Sequence, residues 1–359
     1  MSTEEETDIA LKKILASIVQ SFKDYFIDAT NALIGKRPEE LTFEEISLDR
    51  KIGTTGIKLV NVRFSCPEAR NLMAGLAVKN LESPSEVELT IRKINFLHNR
   101  IEPWNFLGLC TPNVIFNSGS LIILEGIMGS DSFRHSPVPE IEKMRLAGRA
   151  LGAIHGPQKA EVFFEQYRIV TRKAIDLLPV SGKWKEELIM LFDLQFDDVE
   201  KYTKYGGSIK FGDFHAGNIL FEINRRKSPI LRTHLIDPEF LTIEETNTDR
   251  CEDICNFFVH RAITEYRTTK KLEKTPKDIL SFLSGYNEIL AYNNANIYQF
   301  YDNVLPVNFH LAQAILLSIL NFLSLPEAQN EAYATQEIEL RLGLIRHLLR
   351  RPAIVHRVN

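Results

Sequence analysis

Cysteine is scarce in the sequence, and the spacing of the few cysteines disfavours a metal site built from them. Only four occur among 359 residues: Cys66, Cys110, Cys251 and Cys255. The last two are one helical turn apart, but two ligands alone do not make a zinc site. We therefore expect ordinary reduced thiols, as in a cytoplasmic protein.

A long uncharged apolar run is also missing. The longest apolar stretch, near residues 311–325, is short for a bilayer span and is interrupted by Gln313, Ser318, Asn321 and Ser324. The first residues, MSTEEE, are acidic, whereas a secretory signal begins with basic residues. Both features favour a cytoplasmic protein that does not associate with a membrane.

No long basic run is present, and the net charge is −4, which argues against a general nucleic-acid binder. The string Gly-x4-Gly-Lys-[Ser/Thr] is absent too, so a P-loop nucleotide site is not expected. Hydrophobic content of 44% and charged content of 25% are typical of globular proteins. A chain of 359 residues favours two lobes or domains over a single core.

The most informative stretch runs from Ile209 to Phe240. Residues 219–221 and 235–236 are apolar runs typical of strands, and residues 224–229 between them have turn composition. A loop, a hairpin and a second loop beside the first would bring four polar side chains into a small volume: Asp213, Asn218, Asp237 and Glu239.

Clustered carboxylates are unfavourable unless a cation neutralises them. Oxygen ligands of this kind suit Mg²⁺, which completes its octahedron with phosphate oxygens and water. The spacing Asp-x4-Asn followed by an Asp after a strand is typical of phosphoryl transfer. In that arrangement Asp213 accepts the proton of the attacking hydroxyl, while Asn218 and Asp237 hold the metal ion. The alternative is a set of solvated acidic residues on hairpin loops.

The segment Gly212–Leu220, GDFHAGNIL, closely resembles the His-Gly-Asp-x-His-x-x-Asn-Ile-Leu loop of the aminoglycoside phosphotransferase and choline kinase superfamily. The segment Ile236–Phe240, IDPEF, resembles that superfamily's second metal motif, and its Asp-Pro-Glu form is similar to that of methylthioribose kinases. The resemblance implies ATP and Mg²⁺ as cofactors. It also implies that His215 organises the loop or approaches the substrate phosphate. Glu239 would either reach a second metal ion, directly or through water, or fix the loop.

One residue departs from the family pattern, because Phe211 stands where the family has a His before Gly-Asp. That His braces the loop rather than performing chemistry, so we expect activity with a remodelled support. Asp253 matches the family position whose helix-borne Asp hydrogen-bonds the catalytic loop. His155, at the end of a helix predicted over 141–155, is interpreted as structural.

Upstream, the pattern predicts strands over 43–52, 57–64 and 72–81. Gly53 and Gly56, in the first connection, would let backbone amides lie close to triphosphate oxygens, as the loop of a kinase small lobe does.

Lys79 lies on the third of these strands, where an ammonium group must find an anion or reach solvent. It resembles the kinase lysine that binds the α- and β-phosphates. A helix is predicted to start at Ser83-Pro84. Glu88 on that helix is the first candidate to pair with Lys79, and Glu86 is the second.

A further strand pair is predicted over 110–116 and 121–125, running into Gly126. By its order along the chain this segment resembles the family's hinge, where backbone groups of Glu125 and Ile127 would meet adenine.

Helices are predicted over 9–33, 141–155, 162–177 and 183–202, and from 279 to the end. Together with the strands they predict an α+β, bilobal protein-kinase-like fold. Its parts would be an N-terminal helical extension (1–40), a β-rich nucleotide-binding lobe (41–125) and a large helical lobe with the catalytic and metal loops (126–359).

The predicted function is ATP- and Mg²⁺-dependent transfer of the γ-phosphoryl group to a hydroxyl of a sugar, thiosugar, amino alcohol or aminoglycoside-like molecule. The expected partners are ATP and this acceptor, without nucleic acid or membrane. Two alternatives stay open. A protein kinase-like enzyme is disfavoured because no Ala-Pro-Glu segment follows Asp237. A nucleotide-binding pseudokinase scaffold is supported only by Phe211 and would bind ATP without turnover.

Overall fold

The computed structural model describes the parts of the chain that follow: residues 13, 16–17, 27, 41–52, 57–67, 69–127, 130–156, 162–203, 207–223, 231–243, 248–292 and 307–350. Most of the helix predicted over 9–33 lies outside these residues. The predicted phosphate-loop glycines, Gly53 and Gly56, lie outside them as well.

The chain divides into two compact units. The first, here called the sheet unit, comprises Met1–Asp131 and Leu220–Ile236, and the second, the helical unit, comprises Ser132–Ile219 and Asp237–Asn359. Strands are concentrated in the first and helices in the second, which confirms the predicted α+β class. The predicted ranges had assigned the hairpin strands after residue 219 to the helical part.

From residue 42 to residue 132, the described chain forms β1 to β7 and helix α1. Their bounds are β1 Thr42–Ile52, β2 Ile57–Cys66, β3 Ala69–Asn80, α1 Pro84–Ile101, β4 Leu109–Cys110, β5 Val114–Ser118, β6 Leu121–Gly126 and β7 Ser130–Ser132, with a 3₁₀ helix at Glu102–Leu107. Five of the strands form an antiparallel sheet in the order β1-β2-β3-β6-β5. The three predicted N-terminal strands are thereby confirmed, with small differences at their ends.

The core of this sheet follows from alternation along the strands. Val60, Val62 and Phe64 on β2 are fully buried, and they pack with residues of the neighbouring strands: Ala74, Leu76, Val78 and Ile123. Successive side chains of a strand point to opposite faces, so every second residue of β2 and β3 enters one apolar layer.

Helix α1 begins where the sequence predicts. The Ser83 side chain accepts a hydrogen bond from the Glu86 backbone N–H at 3.3 Å, and Pro84 occupies the first helical turn. The Glu86 carboxylate accepts a second bond from the Glu82 backbone N–H at 2.9 Å. This reciprocal capping satisfies backbone donors that a helix start leaves without partners.

The prediction of one continuous strand over 110–116 is wrong. Leu109–Cys110 forms β4, and β5 begins only at Val114. Pro112, between them, has no backbone N–H to donate to a ladder, which is the physical reason for the interruption. The pairing of β5 with β6 is confirmed.

The rest of the chain is mainly helical. Its elements are α2 Glu140–His155, α3 Glu165–Leu177, α4 Gly182–Thr203, β8 Gly207–Ser208, β9 Ile219–Ile223, β10 Leu231–Leu235, β11 Thr248–Asp249, α5 Arg250–Thr269, α6 Lys274–Tyr292, α7 Val307–Leu323 and α8 Glu331–Leu349, with 3₁₀ turns at Ala216–Asn218 and Pro326–Gln329. A second sheet has the order β4-β10-β9-β7, and β8 pairs with β11. Because β10 pairs in parallel with β4, the hairpin strands belong to the sheet unit.

Helices α2 and α6 pack closely enough to require glycine. A Cβ atom on Gly148 would lie only 1.9 Å from the Phe282 carbonyl oxygen. A Cβ atom on Gly152 would likewise lie 2.9 Å from the Tyr286 carbonyl oxygen, whereas Gly156 ends the helix. Among the residues that the structure describes, no helix combines the length and apolar character needed to cross a membrane.

Candidate active site

The loop between β8 and β9 lies directly against the loop that follows β10. Gly212 has a φ of 86°, and a Cβ atom there would lie 2.7 Å from the Phe240 carbonyl oxygen. The backbone N–H of Thr242 donates to the Lys210 carbonyl at 2.9 Å, and the Lys210 N–H donates to Thr242 Oγ1 at 3.1 Å. The two loops therefore run side by side, as the sequence predicts.

Asp213, His215 and Asn218 form a hydrogen-bonded group on the first loop. Asn218 Nδ2 donates to the Asp213 backbone carbonyl at 2.9 Å. His215 Nδ1 accepts from the Gly217 N–H at 2.9 Å, and Nε2 lies 3.3 Å from Asp213 Oδ2. Because Nδ1 is an acceptor, the proton of the neutral ring is on Nε2, where it faces the carboxylate.

The electrostatics of this group favour an ionised Asp213. The hydrogen bond from His215 holds the pKa of the Asp213 carboxyl below its usual range, although partial burial opposes the shift. In return, the hydrogen bond to Asp213 raises the pKa of His215, and the negative charge of Asp237 adds to that rise. A carboxylate at Asp213 can thus accept a proton near neutral pH, and Asp237 belongs to the same electrostatic group.

Asp237 occupies an unusual backbone conformation immediately after β10. Its φ of 52° is positive, a region that few residues other than glycine adopt and that Asp tolerates. The side chain is half-buried, whereas Glu239, on the same turn, is exposed. The structure therefore brings Asp213, His215 and Asp237 together and leaves Glu239 at the surface.

A buried carboxylate on α5 holds the first loop in place. Asp253 accepts hydrogen bonds from the backbone N–H of Phe211 at 2.7 Å and of Gly212 at 3.0 Å. His155 Nε2 lies 3.1 Å from the same carboxylate, and His155 Nδ1 lies 2.8 Å from the Tyr286 hydroxyl. The predicted roles of Asp253 as a brace and His155 as a structural residue are confirmed.

Aromatic packing accompanies this brace at the position where the family has a His. Phe211 is fully buried and meets Phe214 edge-on, with ring centroids 5.5 Å apart. Phe214 in turn packs against Phe257 and Phe282. The remodelled support expected from the sequence is therefore an aromatic cluster, which needs no ring nitrogen at position 211.

The oxygen donors on the two loops are suitable for Mg²⁺. The amide nitrogen of Asn218 is held by Asp213, so its oxygen is available to a cation, and Asp237 adds a carboxylate. Within the described ranges, no group of three or more His, Cys, Asp or Glu side chains is arranged to hold a metal ion. A cation here would therefore need phosphate oxygens or water as its remaining ligands.

A cavity of about 740 Å³ adjoins Asp213 within the helical unit. Four further residues of the loop between β8 and β9 and of β11 line it beside Asp213 and His215: Lys210, Gly212, Phe214 and Thr248. The rest of the lining comes from three helices: Gln166, Tyr167 and Val170 of α3, Glu252, Asn256, Val259 and His260 of α5, and His310, Gln313, Ala314, Leu317, Ser318 and Asn321 of α7. No pattern in the sequence predicted this cavity. One signal was present, because Gln313, Ser318 and Asn321 interrupt an apolar helix and all three line it.

The residues predicted to bind phosphates lie in the sheet unit. Lys79 is buried on β3, opposite Ile122 of β6. Glu88 is exposed on α1, and Glu86 is occupied in capping that helix. In the described part of this unit, neither glutamate forms an ion pair with Lys79.

The predicted hinge residues, Glu125 and Ile127, lie near the end of β6 in the same sheet. The Glu125 carboxylate accepts hydrogen bonds from Asn113, at 3.3 Å from its backbone N–H and 3.0 Å from its side chain, and the Glu125 N–H donates to the Asn113 carbonyl at 2.9 Å. The Ile127 carbonyl accepts a bond from the Ser130 hydroxyl at 2.9 Å. Glu125 thus lies in the last part of β6 and Ile127 directly follows that strand, and their contact with adenine stays a prediction.

No protein-family model matches the sequence, and no curated protein sequence matches it. Solved structures resemble the fold. A choline/ethanolamine kinase family protein from Mesorhizobium loti has a TM-score of 0.47 and 14% identity, over 85% of this chain and 89% of that one. Choline kinase LicA from Streptococcus pneumoniae has a TM-score of 0.44 and 14% identity, over 90% and 98%.

A third structure, glucosamine kinase in complex with glucosamine, ADP and inorganic phosphate, has a TM-score of 0.46 and 13% identity, over 85% of this chain and 82% of that one. These proteins are of the kind that the motif resemblance names. Similarities this low carry no argument for activity, which has to come from the residues of the site.

Proposed function

We propose that the protein transfers the γ-phosphoryl group of ATP to a hydroxyl group of a small molecule, with Mg²⁺ as cofactor. The observation that carries the proposal is the group formed by Asp213, His215, Asn218 and Asp237 on two adjacent loops, with Asp213 and His215 lining a cavity of about 740 Å³. That volume lies within the range of about 300–1,000 Å³ common for small-molecule sites.

Asp213 is the proposed base. As the acceptor hydroxyl oxygen forms its bond to the γ-phosphorus, the bond from that phosphorus to the bridging oxygen breaks and ADP leaves. The hydroxyl proton passes to the Asp213 carboxylate, whose lowered pKa keeps it ionised beforehand. Positioning and charge neutralisation supply most of the catalysis in such reactions.

The other residues have supporting roles. His215, through its Nε2 contact, fixes the orientation of the Asp213 carboxylate and leaves the other oxygen for the substrate. Asn218 and Asp237 are the proposed ligands of Mg²⁺, which would neutralise phosphate charge when bound. Lys79 is proposed to bind ATP phosphates, and backbone groups of Glu125 and Ile127 to bind adenine.

The test is ATP turnover with Mg²⁺ across a panel of sugars, amino alcohols, amino acids and aminoglycosides. ADP release and the gain of one phosphoryl group by the acceptor are measured together. Asp213→Asn is compared with Asp176→Asn, which changes an exposed carboxylate on α3 outside the cavity lining. The proposal predicts one phosphorylated class, lost only with Asp213→Asn.

Two outcomes would contradict the proposal. If ATP binds and no acceptor is phosphorylated, the chain is better described as a nucleotide-binding scaffold. If neither ATP nor ADP binds to the protein, the kinase assignment itself fails.

A further inference from the structure

Apart from the proposed base Asp213, the carboxylate and the ammonium group in the described lining of the cavity are paired with each other. Apart from Asp213, which faces His215, the described lining contains one carboxylate, Glu252. Glu252 forms an ion pair with Lys210, the one Lys or Arg in that lining, and accepts a hydrogen bond from the Tyr167 hydroxyl at 3.1 Å. Beyond Asp213, whose second oxygen is proposed to receive the proton of the reacting hydroxyl, the described lining therefore offers neither a surplus carboxylate to an amine nor a surplus cation to an acid.

The Tyr167 hydroxyl also holds the Glu252 carboxylate in its ion pair with Lys210. The same hydroxyl accepts a hydrogen bond from the Asp249 backbone N–H at 2.9 Å. Burial, with the nearby charges of Glu252 and Asp249, raises the pKa of Tyr167, so the hydroxyl stays protonated as the donor to Glu252. A carboxylate satisfied by an ammonium group and a phenol has little left to offer a substrate cation.

The remaining polar lining consists mainly of neutral groups, among them the amides Gln166, Asn256, Gln313 and Asn321. Both N–H groups of Gln313 are engaged, because Nε2 donates to the Tyr167 carbonyl at 3.3 Å and to Thr171 Oγ1 at 2.9 Å. The amide oxygen is then the group that remains for a donor. Amides both donate and accept, so they match hydroxyl groups without selecting a charge.

An aliphatic patch completes the lining. Val170, Val259, Ala314 and Leu317, from the three helices, are cavity residues without polar side-chain atoms. Apolar surface next to a few fixed polar groups is the usual composition of a small-molecule site. A molecule that fits must present hydroxyl groups on one side and hydrocarbon on another.

We infer that the cavity binds an uncharged, hydroxyl-rich acceptor of the sugar type, with an apolar ring face or substituent, and that it selects against amines. This inference rests on the proposed function for the chemistry, and on the compensated charges and amides for the acceptor class. Burying an ammonium group away from any unpaired carboxylate is costly, and the described lining has none besides the proposed base; this cost is the basis of the selection.

The test measures acceptor binding by calorimetry in the absence of ATP, and phosphorylation separately. The uncharged probes are ribose, glucose and their methyl glycosides, and the cationic probes are glucosamine, ethanolamine and kanamycin. We expect the best uncharged probe to bind at least about tenfold more tightly than any cationic one, and its hydroxyl to be the one phosphorylated.

Asn256→Asp supplies a carboxylate that is neither the proposed base nor paired with Lys210, and Asn95→Asp makes the same change on an exposed face of α1. Asn256→Asp is expected to shift the binding ratio toward glucosamine by about tenfold, and Asn95→Asp to leave it unchanged. If Asn256→Asp does not fold, Asn321→Asp on α7 makes the same test.

The outcomes separate the two proposals. Binding of uncharged sugars without phosphorylation would support the acceptor class and contradict the proposed function. If a hydroxyl group of the cationic probes is phosphorylated in preference to the uncharged sugars, the proposed function is supported and the inferred acceptor class is overturned. Failure of every uncharged probe to bind would also overturn it.

Discussion

The two units bury polar groups to different extents. The core of the sheet unit is built from Val60, Val62, Leu76 and similar residues, and Lys79 is the buried ammonium group on its central strands. The helical unit buries many polar side chains, among them His155, Asp249, Arg250, Asp253, His310 and Gln313. A buried polar group without a hydrogen-bond partner is unfavourable. A unit that buries many polar side chains is therefore expected to connect them by hydrogen bonds.

Several of those hydrogen bonds hold the Asp213 loop or residues that line the cavity beside it. Asp253 holds the loop backbone, and Tyr167 holds both Glu252 and Asp249. The sheet unit shows no such set of hydrogen bonds in its described core. The helical unit thus uses buried polar groups to hold the Asp213 loop, whereas the core of the sheet unit consists mainly of apolar side chains.

The largest effect is expected where two helices of the helical unit touch. Gly148→Ala would place a methyl group 1.9 Å from the Phe282 carbonyl, so backbone must move. We expect a loss of about 3 kcal/mol or more in the free energy of unfolding, measured with urea. In the control Gly343→Ala, the new Cβ lies 3.5 Å from its nearest neighbour, and helix propensity should stabilise the protein by up to about 1 kcal/mol. Equal effects of the two changes would contradict the close packing.

The second prediction compares a residue that holds the Asp213 loop with a residue of the apolar core of the sheet unit. Asp253→Asn removes charge from a group that binds two backbone N–H groups and His155, and should lower the free energy of unfolding by about 2–4 kcal/mol. Val62→Ala in the sheet core should cost about 2 kcal/mol. Turnover of the folded fraction should fall at least about tenfold with Asp253→Asn and stay near wild type with Val62→Ala. A similar loss of turnover in both variants would contradict the view that buried polar groups of the helical unit position the loop while the sheet core only packs.

Helix α1 illustrates what could be predicted from the sequence. Its start follows from Ser83, Pro84 and Glu86, because capping depends on residues within one turn. The pairing of Glu88 with Lys79 is a different kind of prediction, since it depends on how the helix is rotated against the sheet. The structure leaves Glu88 exposed, and no short-range pattern specifies that rotation.

The candidate site shows the same limit. The loop motif and the strand before Asp237 predicted which residues would lie together, because a short hairpin connects them. The cavity could not be predicted, since its lining comes from three helices distant in sequence. The polar residues Gln313 and Asn321 within apolar α7 were the sequence signal, but they do not identify the opposite helices.

A moderate effect is expected from pH. Burial lowers the pKa of His155 below its usual value of about 6.5, so the unfolded chain binds this proton more readily than the folded protein. The stability linked to His155 is complete above about pH 6.5 and is lost as the pH falls toward the folded pKa, with a slope of at most about 1.4 kcal/mol per pH unit.

His155→Gln should lower stability at pH 7.5 and flatten this dependence between about pH 6.5 and 5, measured by urea unfolding across that range. His215, whose pKa is raised, acts in the opposite sense, but it is half-exposed and its contribution is weakened by solvent. An unchanged slope in the variant would show that His155 is not the titrating group.

The smallest effect is expected from a substitution at Glu88, on helix α1 of the sheet unit. Because Glu88 is exposed and forms no ion pair with Lys79 in the described chain, Glu88→Gln should change turnover by less than about twofold and stability by less than about 0.5 kcal/mol. Lys79→Met, by contrast, should weaken ATP binding strongly, measured by calorimetry with ATP and Mg²⁺. A large effect of Glu88→Gln on turnover would instead support the pairing that the sequence suggests.

The most direct test of the account is the rate of phosphoryl transfer in Asp213→Asn, measured with saturating ATP and the best acceptor alongside ATP affinity. The account predicts a fall of about 10²–10⁴-fold in turnover, with ATP affinity within about twofold of wild type and an unchanged unfolding transition. Turnover equal to that of the wild type would contradict it, because the loop that the helical unit holds in place would then not carry the catalytic base.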